Sequence, residues 1–319
     1  MAPNESTMMA VALPGFDMAV EVRRFPVPAP ENGDVRVRVH TASVNGFDLA
    51  VATGRLRGMM EHRFPLVLGK DFAGIVDAVG AGVTGFVPGD RVFGVVTRPW
   101  LGEGSFGDYV TVPAAIGIAR LPGGVSFEVG GALGLAGTAA RMAVDAVAPI
   151  AGETIIIAGA TGGVGSMAVQ LAARAGARVI ATARGEEERR FVTRLGAAEV
   201  VDYTWDLATQ VRASHPDGVD AALHFAGDPD ALVPLVRAGG RLASTMIMSP
   251  EQIAGDGVTV HAIYAVPTAE VLTGLAESVA SGALIVPLQR RYALGDAPSA
   301  LAHFAEGTLG KLVIGTRAG

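Results

Sequence analysis

The hydrophobic pattern of the chain changes near residue 154, and the change indicates two kinds of structure. Before this point, residues 35–41 alternate between apolar and polar side chains, which is typical of a half-solvated antiparallel strand. Residues 72–79 and 90–96 have the composition of further strands, and glycine-rich turns separate these segments. The first long helical pattern covers about 127–147. The first 120 residues therefore predict a mostly β domain.

From residue 154 onward, short and continuous apolar runs alternate with helical patterns. The predicted strands cover 154–158, 178–183, 199–203, 219–225, 241–245 and 258–266. The predicted helices cover about 164–175, 186–195, 205–213 and 230–237. Apolar strands of this length are typical of a sheet that is buried on both faces, and their alternation with helices predicts a doubly wound parallel sheet.

The end of the chain returns to mixed texture, with a helix predicted at 269–281 and a closing strand at 311–315. A length of 319 residues suggests about two domains at ~150 residues per domain. We expect an α/β fold in which the parallel domain is inserted into the β domain. The predicted boundaries are 1–124 for the first domain, 125–266 for the insertion, and 267–319 for the return.

Charge and cysteine content exclude several classes of function. The net charge is −6 and the charges are scattered, whereas nucleic acids and anionic membranes require clustered lysine and arginine. The absence of cysteine excludes disulfides, cysteine-bound zinc, iron–sulfur clusters and a thiol nucleophile. The uncharged window 154–173 has the length of a membrane span, but it contains four glycines and a glutamine. Since the N-terminus also lacks a signal-peptide pattern, we expect a soluble, cytoplasmic protein.

The segment Ala158–Gly165 lies between the first buried strand and its helix. A helix N-terminus offers free N–H groups and a positive dipole end to a pyrophosphate, and glycine lets the phosphate approach closely. The G-x-G-x-x-G pattern aligns with Ala160, Gly162 and Gly165, and an alternative frame begins at Gly159. The strand–turn–helix context predicts a dinucleotide site, although an ordinary tight turn remains the alternative. A Walker A loop is excluded because no Gly-Lys-Ser/Thr follows.

The end of the second parallel strand distinguishes NAD from NADP. An acidic residue there would bind the ribose 2′-hydroxyl, but residues 177–183 contain none and Arg184 follows directly. A guanidinium at this point suits a 2′-phosphate, and Arg189 and Arg190 lie one turn into the next helix. We therefore expect NADP(H). The alternative is that Arg184 is a solvated loop charge.

An ordered set of motifs resembles the medium-chain dehydrogenase/reductase superfamily, and within it the zinc-free quinone oxidoreductases (zeta-crystallin-like). The resemblance covers nearly the whole chain and implies a Rossmann domain inserted in a GroES-like catalytic domain. Its motifs, besides the glycine-rich turn, are Asn45–Asp48, Leu68–Val76, Val87–Val92, Gly104–Val110, Gly137–Ala139, Leu195–Ala197, Val201–Tyr203, Gly239–Arg241 and Gly310–Ile314.

The resemblance also implies that a catalytic zinc is absent. In the zinc alcohol dehydrogenases these motifs carry Cys, His and Glu, and the corresponding positions here are Asn45, Lys70 and Asp71. A lysine cation would oppose Zn²⁺. Without a Lewis acid, the expected reaction is hydride transfer to an electron-poor acceptor such as a quinone or an α,β-unsaturated carbonyl.

The resemblance assigns candidate catalytic roles to two residues. Asn45 is expected beside the nicotinamide as a donor to the substrate oxygen, with a turn-forming role as its alternative. Lys70 is a second candidate donor, with a salt bridge to nearby acids as its alternative. Asp48 is expected to shape the loop. Ala50 stands where family members often carry Tyr, so we expect a different or roomier substrate pocket.

The candidate cofactor-binding residues share positions on the glycine-rich turn or at strand ends, apart from Thr138 on the preceding helix and Arg189 on the helix after the second parallel strand. They are Thr138, Ala160, Gly162, Gly163, Val164, Gly165, Arg184, Arg189, Tyr203, Phe225, Ala226 and Lys311. Glu188 occupies the position of the family's basic residue, so Arg184 or Arg189 would have to replace it. Lys311 either approaches the active site or only closes the C-terminal strand.

Two other functions remain open. Reduction of an enoyl thioester would use the same groups, and the sequence has no carrier-protein patch that separates the two. A cofactor-binding protein with little turnover is the third interpretation. The resemblance implies a homodimer, formed through edge pairing of strand 258–266.

Overall fold

The computed structural model describes residues 6–253 and 257–316, which fall into two compact units. Unit 1 contains the residues up to 135 and those from 266 onward, and unit 2 contains residues 136–265. The inserted domain was predicted to cover 125–266, and unit 2 covers 136–265. The first boundary of unit 2 falls inside a long helix, and the second lies just before Pro267. No helix in the described segments combines the length and the apolarity that crossing a membrane requires.

The strands, in chain order, are β1 (Thr7–Leu13), β2 (Glu21–Pro26), β3 (Asp34–Ser43), β4 (Glu61–His62), β5 (Leu66–Val67), β6 (Asp71–Val79), β7 (Arg91–Val95), β8 (Trp100–Leu101), β9 (Tyr109–Pro113), β10 (Ile118–Arg120), β11 (Thr154–Ala158), β12 (Arg178–Thr182), β13 (Glu199–Val201), β14 (Val219–His224), β15 (Val236–Ser244), β16 (Thr259–Ala262), β17 (Leu288–Ala293) and β18 (Lys311–Gly315). The α-helices are α1 (Gly46–Ala52), α2 (Phe127–Val147), α3 (Gly163–Arg174), α4 (Gly185–Arg194), α5 (Leu207–Ser214), α6 (Ala269–Ala280) and α7 (Ala297–Glu306).

Unit 1 is built on a seven-stranded sheet in the order β10-β7-β6-β3-β18-β17, with β9 also paired to β3. The alternating pattern of residues 35–41 is explained by β3, which pairs antiparallel with β6, β9 and β18 and buries its valines. The C-terminal strand β18 lies directly beside β3. The predicted return of the tail to the β domain is therefore observed, and it places residues far apart in sequence side by side.

Unit 2 contains a six-stranded parallel sheet in the order β13-β12-β11-β14-β15-β16. The isoleucines of β11, the central strand, are fully buried, as the continuous apolar run predicts. The chain leaves β11 toward β12 and later returns on its other side as β14. This order is that of the Rossmann fold, so the α/β class predicted from the sequence is confirmed.

One predicted helix is absent, and one predicted strand is shorter than expected. Residues 230–237 form two short 3₁₀ turns instead of a helix, and β15 begins at Val236. Pro234 cannot donate a helical hydrogen bond and disfavours the α conformation of the residue before it, which explains the difference. The strand predicted at 258–266 is limited to β16.

We predict that Ile156→Ala in β11 lowers the free energy of unfolding by about 2–5 kcal/mol, because it leaves a cavity in the packed core of unit 2. Ile150→Ala is the matched control, since Ile150 lies in the same unit and is 66% exposed. The control should change the free energy by less than about 0.5 kcal/mol. Urea denaturation measures both variants, and equal effects would contradict the prediction.

Candidate functional site

A carboxylate without solvent contact organises the polar residues of unit 1. Asp71 begins β6 and is fully buried. Its Oδ2 accepts hydrogen bonds from Ser43 Oγ at 2.7 Å and from Asn45 Nδ2 at 2.9 Å. Its Oδ1 accepts the backbone N–H of Leu135 at 2.7 Å. A buried carboxylate needs such donors, because each unpaired oxygen would lose its hydration without compensation.

The ammonium group of Lys311 completes this cluster from the C-terminal strand. Lys311 Nζ donates to Asn45 Oδ1 at 2.6 Å and to Val44 O at 3.0 Å, and it lies 3.5 Å from Asp71 Oδ2. Burial lowers the pKa of Lys311, while the Asp71 charge raises it. The three N–H bonds of the ammonium are directed to these three acceptors. The side chain of Lys311 is thus bound within the polar cluster of unit 1, and its predicted cofactor-binding role stays a prediction.

Asn45 lies between the two charges and precedes helix α1 as its N-cap residue. Its Nδ2 donates to Asp71 and also to Ser43 O at 3.2 Å, and its Oδ1 accepts from Lys311. Both side-chain N–H groups are thus used within the chain. This arrangement gives Asn45 a role in holding the cluster together, and its predicted contact with a substrate oxygen stays a prediction.

Asp48 lies one turn into α1 and is also buried. Its Oδ2 accepts the backbone N–H of Asn45 at 2.9 Å, which is the loop-shaping role expected from the sequence. Burial raises the pKa of Asp48 to about 7, although the hydrogen bond from Asn45 opposes the shift. Asp48 can therefore exchange a proton near neutral pH.

Lys70 differs from Lys311 in having unused donors. Its Nζ lies 4.9 Å from the centre of the Phe47 ring, and among the described residues it makes no hydrogen bond and no ion pair within 4 Å. Burial lowers the pKa of Lys70, while Asp48 and Asp71 raise it. Lys70 and Asp48 both line a cavity of about 20 Å³, which has room for a single water molecule.

The chain contains only two lysines, and both belong to this part of unit 1. Every other basic side chain apart from histidine is arginine. A lysine ammonium is a compact charge whose pKa shifts readily on burial, whereas a guanidinium stays charged. The two positions at which the chain uses lysine are thus those where a cation meets buried carboxylates.

The described residues contain no group of three His, Asp or Glu side chains that would hold a metal ion. The positions at which zinc ligands were considered hold Asn45, Lys70 and Asp71, and the Asp71 oxygens already accept hydrogen bonds. The ammonium group of Lys311, 3.5 Å from Asp71 Oδ2, would repel a divalent cation. The residues of unit 1 do not fit a catalytic zinc ion.

In unit 2 the predicted phosphate-binding turn joins β11 to α3. Gly159 has φ +75°, and its N–H donates to Thr182 Oγ1 at 3.1 Å. A Cβ on Gly165 would lie 2.1 Å from Gly159 O, so the first turn of the helix packs directly on the turn before it. Ala160 is fully buried in the turn, and its predicted contact with a cofactor stays a prediction.

The N-terminus of α3 carries no side-chain cap. The N–H groups of Gly163, Val164 and Gly165 belong to its first turn and have no acceptor within the helix. A Cβ added to Gly162 would meet only Gly159 O, at 3.6 Å, so the space beside this N-cap residue is open. The arrangement fits a pyrophosphate, whose oxygens accept such donors and are attracted by the helix dipole.

The residues predicted for the 2′-phosphate come together around a carboxylate. Arg184 is the N-cap of α4, and its Nε lies 3.5 Å from Glu188 Oε1. Its guanidinium lies 5.9 Å from the centre of the Tyr203 ring, and the Tyr203 hydroxyl lies 3.5 Å from the same Glu188 oxygen. Burial and the charge of Glu188 raise the pKa of Tyr203. Arg189 is half-buried in the same helix, and in the described part of the chain it makes no hydrogen bond or ion pair with this group.

Phe225 and Ala226 follow the end of β14, next to the turn. Phe225 N–H donates to Ala158 O at 3.1 Å, and a Cβ on Gly159 would lie 2.9 Å from the Cβ of Ala226. Ala226 is exposed, as a residue lining a ligand site must be. Thr138 is fully buried within α2, and its predicted position beside a ribose stays a prediction.

Ser43 was not predicted to belong to the unit 1 cluster, and Asp71 was predicted only to occupy the position of a zinc ligand. One signal was present: a polar residue interrupts an apolar segment at both positions. His224 and Ser244, which end two neighbouring parallel strands, were also missed. Pairing between strands, which makes these residues neighbours, is not visible in the local pattern.

Two family models match the chain. The model described as alcohol dehydrogenase GroES-like domain matches residues 31–123, and the model described as zinc-binding dehydrogenase matches residues 163–262. The first range lies in unit 1 and the second in unit 2.

Individual proteins match over different shares of their length. A quinone oxidoreductase from Lama guanicoe is 34% identical over 212 residues, which are 65% of this chain and 62% of that protein. A mycocerosic acid synthase-like polyketide synthase from Mycolicibacterium smegmatis is 36% identical over 243 residues, or 75% of this chain. The chain spans only 11% of that synthase. A mycobacterial protein whose structure was solved in complex with NADPH is 26% identical to this chain, with a TM-score of 0.84. The match covers 97% of this chain and 99% of that chain.

We predict that Asp48→Asn removes a pH-dependent contribution to stability. The folded-state pKa of Asp48 is raised from 3.8 to about 7, so the protonated form stabilises the fold below about pH 4, and this contribution is lost as the pH rises to about 7. The stability of the unmodified chain relative to the variant should fall over this window by on the order of 1 kcal/mol per pH unit.

Urea denaturation at pH 4.5, 5.5, 6.5 and 7.5 measures this difference for Asp48→Asn. Asp17→Asn is the matched control, since the Asp17 side chain is 88% exposed. Parallel stability curves for the unmodified chain and Asp48→Asn would contradict the assigned pKa.

Proposed function

Because the chain belongs to the medium-chain dehydrogenase/reductase superfamily, in its quinone oxidoreductase-like family, we propose that it is an NADPH-dependent reductase of quinones or α,β-unsaturated carbonyls. The observation that carries the proposal is the N-terminus of α3, which has no side-chain cap and has open space beside its N-cap residue Gly162. The names of the similar proteins support it: one is a quinone oxidoreductase, and another binds NADPH.

We assign the binding of the dinucleotide to unit 2. The N–H groups of Gly163, Val164 and Gly165 would hold the pyrophosphate, and Arg184 would pair with the 2′-phosphate. Glu188 now interacts with Arg184, so a 2′-phosphate has to compete with this carboxylate. We therefore expect a preference for NADPH over NADH that is smaller than an unopposed arginine would provide.

The bound nicotinamide supplies the hydride, and we propose that Lys70 supplies the hydrogen bond that a developing enolate or quinol oxygen requires. Lys70 Nζ has unused N–H donors, whereas those of Lys311 and Asn45 are taken within the cluster. Each hydride transferred to such an acceptor is accompanied by one proton. Asp48 faces the same cavity as Lys70 and titrates near pH 7, so it is suited to hold that proton.

We propose that the reaction proceeds without zinc. The ground is the donor set of unit 1, in which the ammonium of Lys311, an amide and a hydroxyl surround the Asp71 carboxylate. An acceptor that is already electron-poor does not need a Lewis acid, because conjugation stabilises the negative charge that the hydride creates.

A second candidate is reduction of an enoyl thioester. It is favoured by the similarity to a polyketide synthase, which covers 75% of this chain. A thioester conjugated to an alkene accepts hydride at the same relative position as an enone, so the same lysine would serve both reactions.

We also propose that the protein is a homodimer. Strand β16 ends the parallel sheet, and the described residues pair only with its inner edge. Such an edge exposes backbone N–H and C=O groups that a second copy can satisfy. Tyr264 and Val266, which follow β16, are exposed and apolar. A cytoplasmic location also stays a prediction.

The activity is tested with NADPH and NADH against 1,4-benzoquinone, 9,10-phenanthrenequinone, a 2-alkenal and crotonyl thioester. We expect NADPH oxidation with a quinone or alkenal and a lower KM for NADPH than for NADH. Lys70→Met should lower kcat by about a hundredfold without weakening NADPH binding, and Lys70→Arg should retain more activity because it keeps a charged donor.

Tight NADPH binding without turnover of any acceptor would contradict the reductase and favour a cofactor-binding protein. Turnover of the thioester alone would favour the second candidate. A clearly lower KM for NADH would contradict the cofactor assignment, and full activity of Lys70→Met would remove Lys70 from the mechanism.

The assembly is tested by light scattering on the unmodified chain and on a variant with Val260→Pro, which removes one edge donor of β16. We expect a dimeric mass for the first and a shift toward monomer for the second. A monomeric mass for the unmodified chain would refute the dimer.

A further inference from the structure

A buried histidine links the ends of two parallel strands in unit 2. His224 is the last residue of β14 and is 1% exposed. It lies opposite Ser244 at the end of β15 and opposite Ala158 at the end of β11. Its Nδ1 lies 2.9 Å from Ser244 Oγ, and its Nε2 lies 3.1 Å from Gly227 O. Both ring nitrogens are therefore engaged, at the carboxyl ends of the strands.

The partners determine which nitrogen carries the proton. A carbonyl oxygen only accepts, so Nε2 must donate to Gly227 O. Burial lowers the pKa of His224, so the ring is neutral at pH 7 and Nδ1 accepts from the Ser244 hydroxyl. Ser244 Oγ in turn accepts the N–H of Met246 at 3.0 Å. The titratable neighbour that acts on the ring is Asp228, which raises its pKa.

The hydrogen bond to Gly227 holds the segment 225–227, which follows β14 directly. Among the described residues, His224 is the side chain that donates a hydrogen bond to the backbone of this segment. The segment is also held by the backbone hydrogen bond from Phe225 N–H to Ala158 O. Ala226 and Gly227 are exposed, and Gly227 has φ +88°. Without His224, the exposed half of the segment would lose its attachment to the sheet.

The same segment packs on the phosphate-binding turn. Ala226 approaches Gly159 so closely that a Cβ on Gly159 would lie 2.9 Å from Ala226 Cβ and 3.0 Å from its backbone N. Gly159 O in turn lies against Gly165 in the first turn of α3. A continuous series of contacts thus connects the histidine ring, through Gly227, Ala226 and Gly159, with the N–H groups assigned to the pyrophosphate.

We propose that His224 is a positioning residue for the dinucleotide: its Nε2–H holds the segment 225–227 against Gly159 and so keeps the phosphate-binding turn closed. The inference rests on the proposed NADPH binding, and it assigns to His224 no contact with the cofactor. The Ser244 bond orients the ring, and the Gly227 bond transmits that orientation to the turn.

Two neutral substitutions separate these bonds. The amide of Asn reaches about as far as Nδ1 of His, so His224→Asn can keep the Ser244 bond but not the Gly227 bond. The amide of Gln reaches about as far as Nε2, so His224→Gln can donate to Gly227 O but gives up the Ser244 bond. If the histidine acts only by filling the sheet interior, the two variants should behave alike.

The test measures NADPH dissociation constants by calorimetry, thermal unfolding of the protein without nucleotide, and kcat and KM for NADPH. For His224→Asn we expect the dissociation constant and the KM for NADPH to rise about tenfold, because one hydrogen bond to a buried group is lost. The kcat at saturating NADPH should be unchanged. His224→Gln should stay within about twofold of the unmodified chain, although both variants lose a similar amount of thermal stability.

Equal weakening of NADPH binding by Asn and Gln would overturn the proposal, as would unchanged binding by both. If His224→Asn fails to fold, a tenfold loss of NADPH affinity in His224→Gln would overturn the proposal. Retained affinity in His224→Gln together with a tenfold loss in His224→Met, which has a similar length but no N–H donor, would support it. Absence of nucleotide binding by the unmodified chain would instead refute the proposed function, and this inference with it.

Discussion

The ion pair between Lys311 and Asp71 joins two residues that lie 240 positions apart in the chain. Both charges are out of contact with water, and each alone would cost several kcal/mol of desolvation. They remain together because Ser43, Asn45 and the N–H of Leu135 satisfy the other oxygens and donors. This requirement holds β18 beside β3 and places the polar cluster of unit 1 at the strand ends.

Units 1 and 2 differ in how their polar groups are hydrogen-bonded. In unit 1 side chains satisfy one another, and Lys70 is the described lysine that keeps free donors. In unit 2 the first N–H groups of α3 have no side-chain cap and no acceptor within the helix. A saturated cluster gives rigidity, whereas unsatisfied donors give affinity for an anion.

Much of the fold was predictable because it is encoded locally. The continuous apolar run at 154–158 and the helical pattern at 127–147 coincide with β11 and α2. The glycine-rich turn was recognisable because only glycine permits φ +75° at Gly159 and the contact at Gly165. The pattern failed at 230–237, where Pro234 prevents a helix. It also did not reveal the acceptors of Lys311, which come from segments far away in sequence.

The sequence by itself determined the parallel sheet, the phosphate turn and the absence of cysteine ligands, since these depend on neighbouring residues or on composition. The tertiary structure decided the partners of each polar group. It directed both N–H groups of Asn45 inward, placed Glu188 against Arg184, and aligned His224 with Ser244 and Gly227. Hydrogen bonds act over about 3 Å in space, and the strand register that brings such atoms together is set by packing of the whole sheet.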